Sequence, residues 1–174
     1  LLPNSVEALV CFFAAIKCGL SFAPLSCAAS PHEVSAWTTL VKPKLCIATA
    51  IANPEIQAEL HKKSFKTVFQ PLDGSFNWLP HTKSKPHNSD TAQIKLSTSG
   101  TTGTPKAMVI DANILWSSGQ AFMRVHGLQK SELRFWNFLP MSYLGGLFNL
   151  GLIPISVGGS NVIDEAFSGK TFLQ

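Results

Sequence analysis

The stretch at residues 94–108 most constrains how this chain can fold, because it places a run of small residues between two apolar segments. Residues 97–103 are all Ser, Thr or Gly, and Lys106 follows shortly after the run. An apolar segment begins at Ile94 and another occupies 108–110, which predicts a β-strand on each side. We therefore expect a loop whose two ends are fixed in a sheet.

The composition of this loop suits a polyanion. Gly100 and Gly103 lack a Cβ atom, so the backbone can turn to point successive N–H groups at one ligand. A lysine ammonium adds a mobile positive charge that suits phosphate. Hydroxyl donors and this one cation complete the candidate nucleotide-binding set: Thr98, Ser99, Thr101, Thr102 and Lys106. Together these residues predict a site for a nucleotide triphosphate.

Three other interpretations of the run compete with a phosphate loop. A Ser/Thr/Gly run is most often a flexible linker, although a linker is seldom held between two strands. A Walker A loop ends in Gly-Lys-Ser/Thr, whereas Lys106 lies between Pro105 and Ala107. The Ser-x-x-Lys motif of penicillin-binding enzymes is not matched at 103–106, since no Ser begins that segment.

The nine residues from Thr98 to Lys106 resemble the phosphate-binding signature of the adenylate-forming, or AMP-binding, enzymes. This superfamily includes acyl-CoA synthetases, aryl-CoA ligases and the adenylation domains of peptide synthetases. The family usually has Gly after the lysine, where this chain has Ala107. It commonly has Ser or Thr and then His at the positions of Asp111 and Ala112, so a nucleotide contact made by that His in relatives is missing here.

Residues 139–146, Leu-Pro-Met-Ser-Tyr-Leu-Gly-Gly, resemble a second landmark of the same family, Leu-Pro-Leu/Met-Phe-His-x-x-Gly. The His or aromatic residue of that landmark lines the acyl pocket in relatives. Tyr143 stands at the His position and Ser142 at the Phe position. The resemblance therefore assigns Tyr143, Gly145 and Gly146 to an acyl pocket, while Tyr143 as a packed core aromatic remains the alternative.

The resemblance implies a reaction in which a small carboxylic acid attacks the α-phosphorus of ATP, expels pyrophosphate and forms an acyl-adenylate. The thiol of coenzyme A or of a carrier-protein pantetheine then captures the acyl group as a thioester. Lys106 is the candidate catalytic residue, because its charge would stabilise the leaving pyrophosphate. Mg²⁺ is implied as well, and we expect its ligands outside this chain, since no carboxylate here can be assigned to it.

The alternation of helical and short apolar segments predicts an α/β fold: a layered, mostly parallel sheet with helices on both faces. Asn4 or Ser5 is expected to cap the first helix and Asp111 a later one. The predicted helices are 6–19, 31–40, 53–61, 112–125 and 143–152. The predicted strands are 20–25, 44–48, 66–69, 94–96, 108–110, 135–139, 153–157 and 161–163.

Charge and cysteine content exclude several classes of function. The net charge is +4 and the basic residues are scattered, which gives no support for nucleic-acid binding. The four cysteines show no metal-ligand spacing, and Cys11 and Cys18 are expected as reduced core residues on the first helix. Residues 135–163 carry no charge, but Pro and Gly interrupt them, so we expect no transmembrane span. A cytoplasmic protein is therefore predicted.

The chain is expected to be an incomplete large N-terminal domain, since Leu1 is not a methionine and further family motifs are missing. We divide it into first α/β units (1–70), a surface loop (71–91), and a unit with the phosphate loop and acyl-pocket segment (92–174). With the rest of the enzyme chain missing, we expect this polypeptide alone to be inactive. The alternative is a non-catalytic nucleotide-binding or interaction module from a degenerate or truncated paralogue.

Overall fold

The computed structural model describes residues 1–49, 52–71, 73, 92–98, 106–128, 133–165 and 167–169. Helices and strands alternate along the chain, which confirms the predicted α/β class. The elements are, in order, α1 (Val6–Lys17), α2 (Pro31–Val41), β1 (Leu45–Thr49), α3 (Pro54–His61), β2 (Lys66–Gln70), β3 (Gln93–Thr98), β4 (Lys106–Asp111), α4 (Ala112–Val125), β5 (Arg134–Asn137), a π-helix (Gly145–Leu152), α5 (Ile153–Ser156) and β6 (Ser160–Ile163).

The helices begin where short polar side chains can accept hydrogen bonds from the first free backbone N–H groups. Ser5 caps α1, and its Oγ accepts from the N–H of Ala8 at 3.2 Å. Asp111 caps α4 as predicted, since its Oδ1 accepts from the N–H of Asn113 at 2.7 Å. Of the two residues predicted to cap α1, Ser5 does so, which leaves the Asn4 side chain available for other contacts.

The described strands form three pairs. β1 and β2 are parallel, β5 and β6 are parallel, and β3 and β4 are antiparallel. The predicted strand at 20–25 is reduced to a single parallel bridge between Phe22 and Ile94. The prediction of mostly parallel pairing is thus confirmed, and the antiparallel pair is the one that flanks the small-residue run.

The largest buried cluster surrounds β3. Ile94 and Leu96 are 0% and 2% exposed, as the apolar alternation of this strand predicts. They pack with Phe12 of α1, Leu115 of α4 and Leu147 of the π-helix. The base of the predicted phosphate loop is therefore anchored in the core of the molecule.

One predicted strand is a helix in the structure. Residues 153–157, predicted as a strand, form helix α5 over Ile153–Ser156, which continues directly from the π-helix. Pro154 lies in the first turn of α5, next to the junction with the π-helix. Residues 145–152 are helical as predicted, but the helix is of the rare π type.

The described cysteines are free, and their environments differ. Cys11 is half-buried in α1, and burial raises the pKa of its thiol. Burial likewise raises the pKa of the Cys46 thiol on β1. Cys18 is exposed because it lies at the C-terminal cap of α1, so the prediction of a core position is wrong for this residue.

The predicted surface loop at 71–91 falls almost wholly outside the described residues, which include only Pro71 and Asp73 of it. The division of the chain at this loop stays a prediction. Within the part of the chain that the structure describes, no helix is long and apolar enough to cross a bilayer.

Candidate functional site

The antiparallel ladder of β3 and β4 brings the two ends of the small-residue run together. Six residue pairs form the ladder, and the last of them joins Thr98 to Lys106. The Thr98 hydroxyl also donates to the Lys106 carbonyl at 3.4 Å. The residues between them lie outside the described part of the chain, and they include the predicted nucleotide-binding residues Ser99, Gly100, Thr101, Thr102 and Gly103.

Lys106 and Thr98 are both exposed, at the end of this hairpin where the chain connects the two strands. Successive side chains of a strand point to opposite faces, so β3 buries Ile94 and Leu96 while the chain leaves the core at Thr98. The prediction of a strand on each side of the small-residue run is confirmed. A lysine at the first residue of β4 can turn its ammonium toward any anion held by the loop that precedes it.

A cavity of about 400 Å³ lies beside the end of β3. We call it the site cavity. Ser97 and Thr98 form one wall, and Ser142 and Tyr143 form another. The remaining wall consists of the first turns of α2 and the segment at 24–29. The structure therefore brings the hairpin and the 139–146 segment, two stretches singled out independently in the sequence, to one cavity.

Two buried polar atoms belong to residues that line the site cavity. Neither the Nε1 of Trp37 nor the Oγ of Ser142 has a hydrogen-bond partner among the described residues. The Trp37 side chain is only 2% exposed. Because buried polar groups are nearly always paired, such unpaired groups mark positions where a bound molecule or water can supply the partner. Sequence reasoning missed Trp37, since nothing near it in the sequence distinguishes it from a core tryptophan.

Glu33, in the first turn of α2, places a carboxylate on the cavity wall. Its Oε2 accepts from the backbone N–H and the hydroxyl of Ser30, each at 2.8 Å. These two hydrogen bonds lower the pKa of the Glu33 carboxyl. The carboxylate is thus ionised and engaged by its own helix cap, which makes it a structural part of the wall rather than a free base.

Tyr143 is 53% exposed and lines the site cavity. Gly145 and Gly146 do not line it, and Gly146 is buried. A Cβ atom on Gly146 would lie 2.3 Å from the carbonyl oxygens of both Leu139 and Pro140. Because Gly146 lacks a Cβ atom, its backbone can lie close to the backbone of residues 139–140. The assignment of Gly145 and Gly146 to an acyl pocket stays a prediction.

Two asparagines hold the π-helix that follows Tyr143. The Nδ2 of Asn137 donates to the carbonyl of Gly146 at 3.0 Å, and Asn137 is fully buried. The Nδ2 of Asn161 donates to the carbonyls of Leu150 at 2.7 Å and Gly151 at 3.0 Å. Such bonds satisfy carbonyl groups in an element whose own hydrogen bonding is irregular, and π-turns of this kind occur often at functional sites.

The described residues contain no group of three or more His, Cys, Asp or Glu side chains that could hold a metal ion. The described residues beside the run include a lysine and a hydroxyl, which are groups that can donate hydrogen bonds to phosphate oxygens. One exposed lysine and one exposed hydroxyl flank the small-residue run, and two residues that each carry a buried unpaired polar atom line the adjacent cavity.

Comparison with known proteins agrees with the sequence motifs. The sulfoacetate–CoA ligase of Cupriavidus necator is 26% identical over 181 residues, which cover 99% of this chain and 35% of that enzyme. Among solved structures, ATP-bound MatB from Rhodopseudomonas palustris has a TM-score of 0.80 at 23% identity, covering 98% of this chain and 35% of that one. The O-succinylbenzoate CoA synthetase MenE from Bacillus subtilis, in complex with ATP and a magnesium ion, has a TM-score of 0.78 at 18% identity. The match covers 99% of this chain and 45% of that one.

The chain spans about a third of the length of the curated relatives that it matches. The structural likenesses confirm the predicted fold. The family described as AMP-binding enzyme matches residues 1–173, which is nearly the whole chain. As the resemblance at Thr98 to Lys106 predicts, the chain belongs to the family of AMP-binding enzymes.

Proposed function

We propose that this chain forms part of an ATP-dependent acid–thiol ligase, which activates a small carboxylic acid as an acyl-adenylate and transfers the acyl group to a thiol. One observation carries the proposal: Thr98, which pairs with Lys106 at the end of the β3–β4 ladder, lines the same cavity as Tyr143. A site for phosphates and a site for an acid must meet in such an enzyme.

On the phosphate side, we assign the loop from Thr98 to Gly103 to the β- and γ-phosphates of ATP. Backbone N–H groups and hydroxyls would bind the phosphate oxygens. Lys106 would neutralise the charge that develops on pyrophosphate as it leaves, and a charge that is already in position costs no reorganisation during the reaction. Mg²⁺, when bound, supplies further neutralisation of the phosphates, and we propose that its ligands lie outside this chain.

On the acid side, we assign the substrate to the part of the site cavity near Ser142 and Tyr143. The exposed Tyr143 side chain would supply a hydrogen bond to a polar acid from its hydroxyl. A relative that acts on sulfoacetate agrees with a small acid that carries a second polar group. Coenzyme A or a carrier pantetheine is the proposed acceptor, and the free cysteines agree with a cytoplasmic location.

The proposal is tested by acid-dependent exchange of labelled pyrophosphate into ATP, measured on a full-length protein that carries this chain with a panel of small acids. Lys106→Ala should lower the exchange rate about 100-fold, as loss of one preorganised electrostatic group does elsewhere. The KM for the acid should change little, because Lys106 acts on the phosphate side.

Lys95 provides a matched control, because it lies on β3 of the same hairpin and is half-buried opposite Val109. Lys95→Ala should leave exchange unchanged. Equal exchange in the Lys106→Ala and wild-type proteins would refute the assignment. Binding of ATP without exchange for any acid would favour the non-catalytic nucleotide-binding module instead.

We also propose that the 174-residue chain by itself releases no pyrophosphate from ATP, because it spans about a third of its relatives. Incubation with ATP, Mg²⁺ and the same acids tests this directly. Release of pyrophosphate by the isolated chain would contradict it.

A further inference from the structure

Asn4 joins the beginning of the chain to the segment that lines the site cavity. Its side chain is buried, with 6% exposed. The Nδ2 donates to the carbonyl of Leu139 at 2.8 Å and to the carbonyl of Asp164 at 3.1 Å. The Oδ1 accepts from the N–H of Met141 at 2.8 Å. Both donors and the acceptor of one carboxamide are thus used on distant backbone.

These bonds hold the chain on both sides of Pro140. Proline has no N–H of its own, so the backbone at this position has one hydrogen-bond donor fewer with which to be fixed to its surroundings. Within the turn, the N–H of Tyr143 donates to the Pro140 carbonyl at 3.1 Å. Asn4 therefore fixes Met141, which directly precedes the two cavity-lining residues Ser142 and Tyr143.

The contacts of Asn4 are not those of a helix cap. Ser5 caps α1, so the helix does not need the Asn4 side chain. The bonding pattern also requires an amide specifically, because it combines two N–H donors with one acceptor. An Asp at this position would place an acceptor oxygen against two carbonyl oxygens, so neither carbonyl would receive a hydrogen bond. An Ala would remove the partner of all three backbone groups.

We propose that Asn4 is a positioning residue for the acid-binding side of the site: it sets the location of Ser142 and Tyr143 through Met141. This inference rests on the proposed function, since it takes the cavity near Tyr143 as the place where the acid binds. Asn4 touches no substrate and acts only through the backbone that it holds.

The test uses Asn4→Ala and Asn4→Asp in the full-length protein, with pyrophosphate exchange measured as a function of each substrate. We expect kcat/KM for the acid to fall about 10- to 100-fold, the cost of misplacing a binding group by a small distance. The KM for ATP should not change, because the β3–β4 hairpin has its own ladder. If Asn4→Ala does not fold, Asn4→Ser is used in its place, because Ser retains one donor and one acceptor.

Asn53→Ala is the matched control. Asn53 caps α3, where its Oδ1 accepts from the N–H of Glu55 at 2.8 Å, and it lies outside the site cavity. Its removal lowers stability without touching the 139–146 segment, so the kinetics of both substrates should stay at wild-type values. If the Asn4 variants raise the KM for ATP and for the acid equally, or change neither, Asn4 has no positioning role and the proposal is overturned.

Hydrogen exchange separates failure of this proposal from failure of the proposed function. Peptides covering 141–147 should exchange at least about tenfold faster in Asn4→Ala than in Asn53→Ala, because a hydrogen bond worth about 1.4 kcal/mol changes an opening equilibrium tenfold. If the wild-type protein does not exchange pyrophosphate into ATP, the proposed function is refuted. If hydrogen exchange at 141–147 is the same in Asn4→Ala as in Asn53→Ala, the contact between Asn4 and Met141 is refuted.

Discussion

Two of the three walls of the site cavity are held by different kinds of hydrogen bonds. The β3–β4 hairpin is a backbone ladder of six pairs from Gln93 and Asp111 to Thr98 and Lys106. The stretch at 137–152 is held instead by side-chain amides, which bind the carbonyls of Leu139, Gly146, Leu150 and Gly151. The first wall depends on the backbone, and the second depends on individual side chains.

This difference predicts how each wall responds to substitution. A ladder of backbone bonds survives most side-chain changes at its exposed positions, which typically alter stability by less than about 0.5 kcal/mol. A wall held by single asparagines and a close backbone contact has no such redundancy, because each lost partner leaves a buried or partly buried carbonyl unpaired. We therefore expect the acid side of the site to be the more sensitive to mutation.

The largest effect on folding should come from Gly146→Ala. The new methyl group would lie 2.3 Å from two carbonyl oxygens, so the backbone of Leu139 and Pro140 must move. We expect a loss of about 3 kcal/mol in the free energy of unfolding, at the upper end of typical overpacking costs. Chemical denaturation of the full-length protein measures it.

The neighbouring glycine is the control for that experiment. A Cβ on Gly145 would meet only the flexible end of the Leu139 side chain, at 3.3 Å. Gly145→Ala should therefore cost much less than Gly146→Ala. Equal costs at the two positions would show that the close contact between Gly146 and the 139–140 backbone does not form.

A smaller, pH-dependent effect is expected at the third wall, where Glu33 closes the α2 cap. Hydrogen bonds from Ser30 lower the pKa of Glu33 below its ordinary value of 4.5, so the folded state favours the ionised form. The stabilisation is therefore complete well above pH 4.5 and is lost as the pH falls through the lowered pKa. Because the pair is exposed to solvent, it contributes less than about 1 kcal/mol.

Thermal unfolding of wild-type and Glu33→Gln proteins between pH 7 and pH 3 tests this prediction. The difference in Tm should be greatest near pH 7 and should shrink below pH 4.5. A difference that stays constant over this range would show that the Glu33 carboxylate is not engaged by Ser30.

The sequence predicted the two strands of the hairpin, although not their antiparallel pairing, more fully than the asparagine-held wall, for a physical reason. Alternation at Ile94 and Leu96 and the cap at Asp111 are local signals, and local signals fix β3, β4 and the start of α4. The π-helix and α5 depend on contacts across the fold, such as Asn161 with Leu150 and Gly151. Periodicity alone cannot separate a buried helix from a buried strand in such an apolar stretch.

The site residues divide in the same way. A motif of consecutive residues identified Thr98 and Lys106, and the structure pairs them. Trp37 and Asn4 contribute through contacts with residues far away in the sequence, so no local pattern marks them. Asn4 was expected only as a possible helix cap, because its partners at 139, 141 and 164 cannot be read from its neighbours.

The central claim is that the residues between Thr98 and Lys106 bind the phosphates of ATP. Hydrogen exchange of the full-length protein, alone, with ATP and with adenosine, tests it most directly. The account predicts that ATP slows exchange in peptides covering 97–108 and that adenosine, which lacks phosphates, does not. Protection by ATP that appears elsewhere and leaves 97–108 unchanged would contradict it.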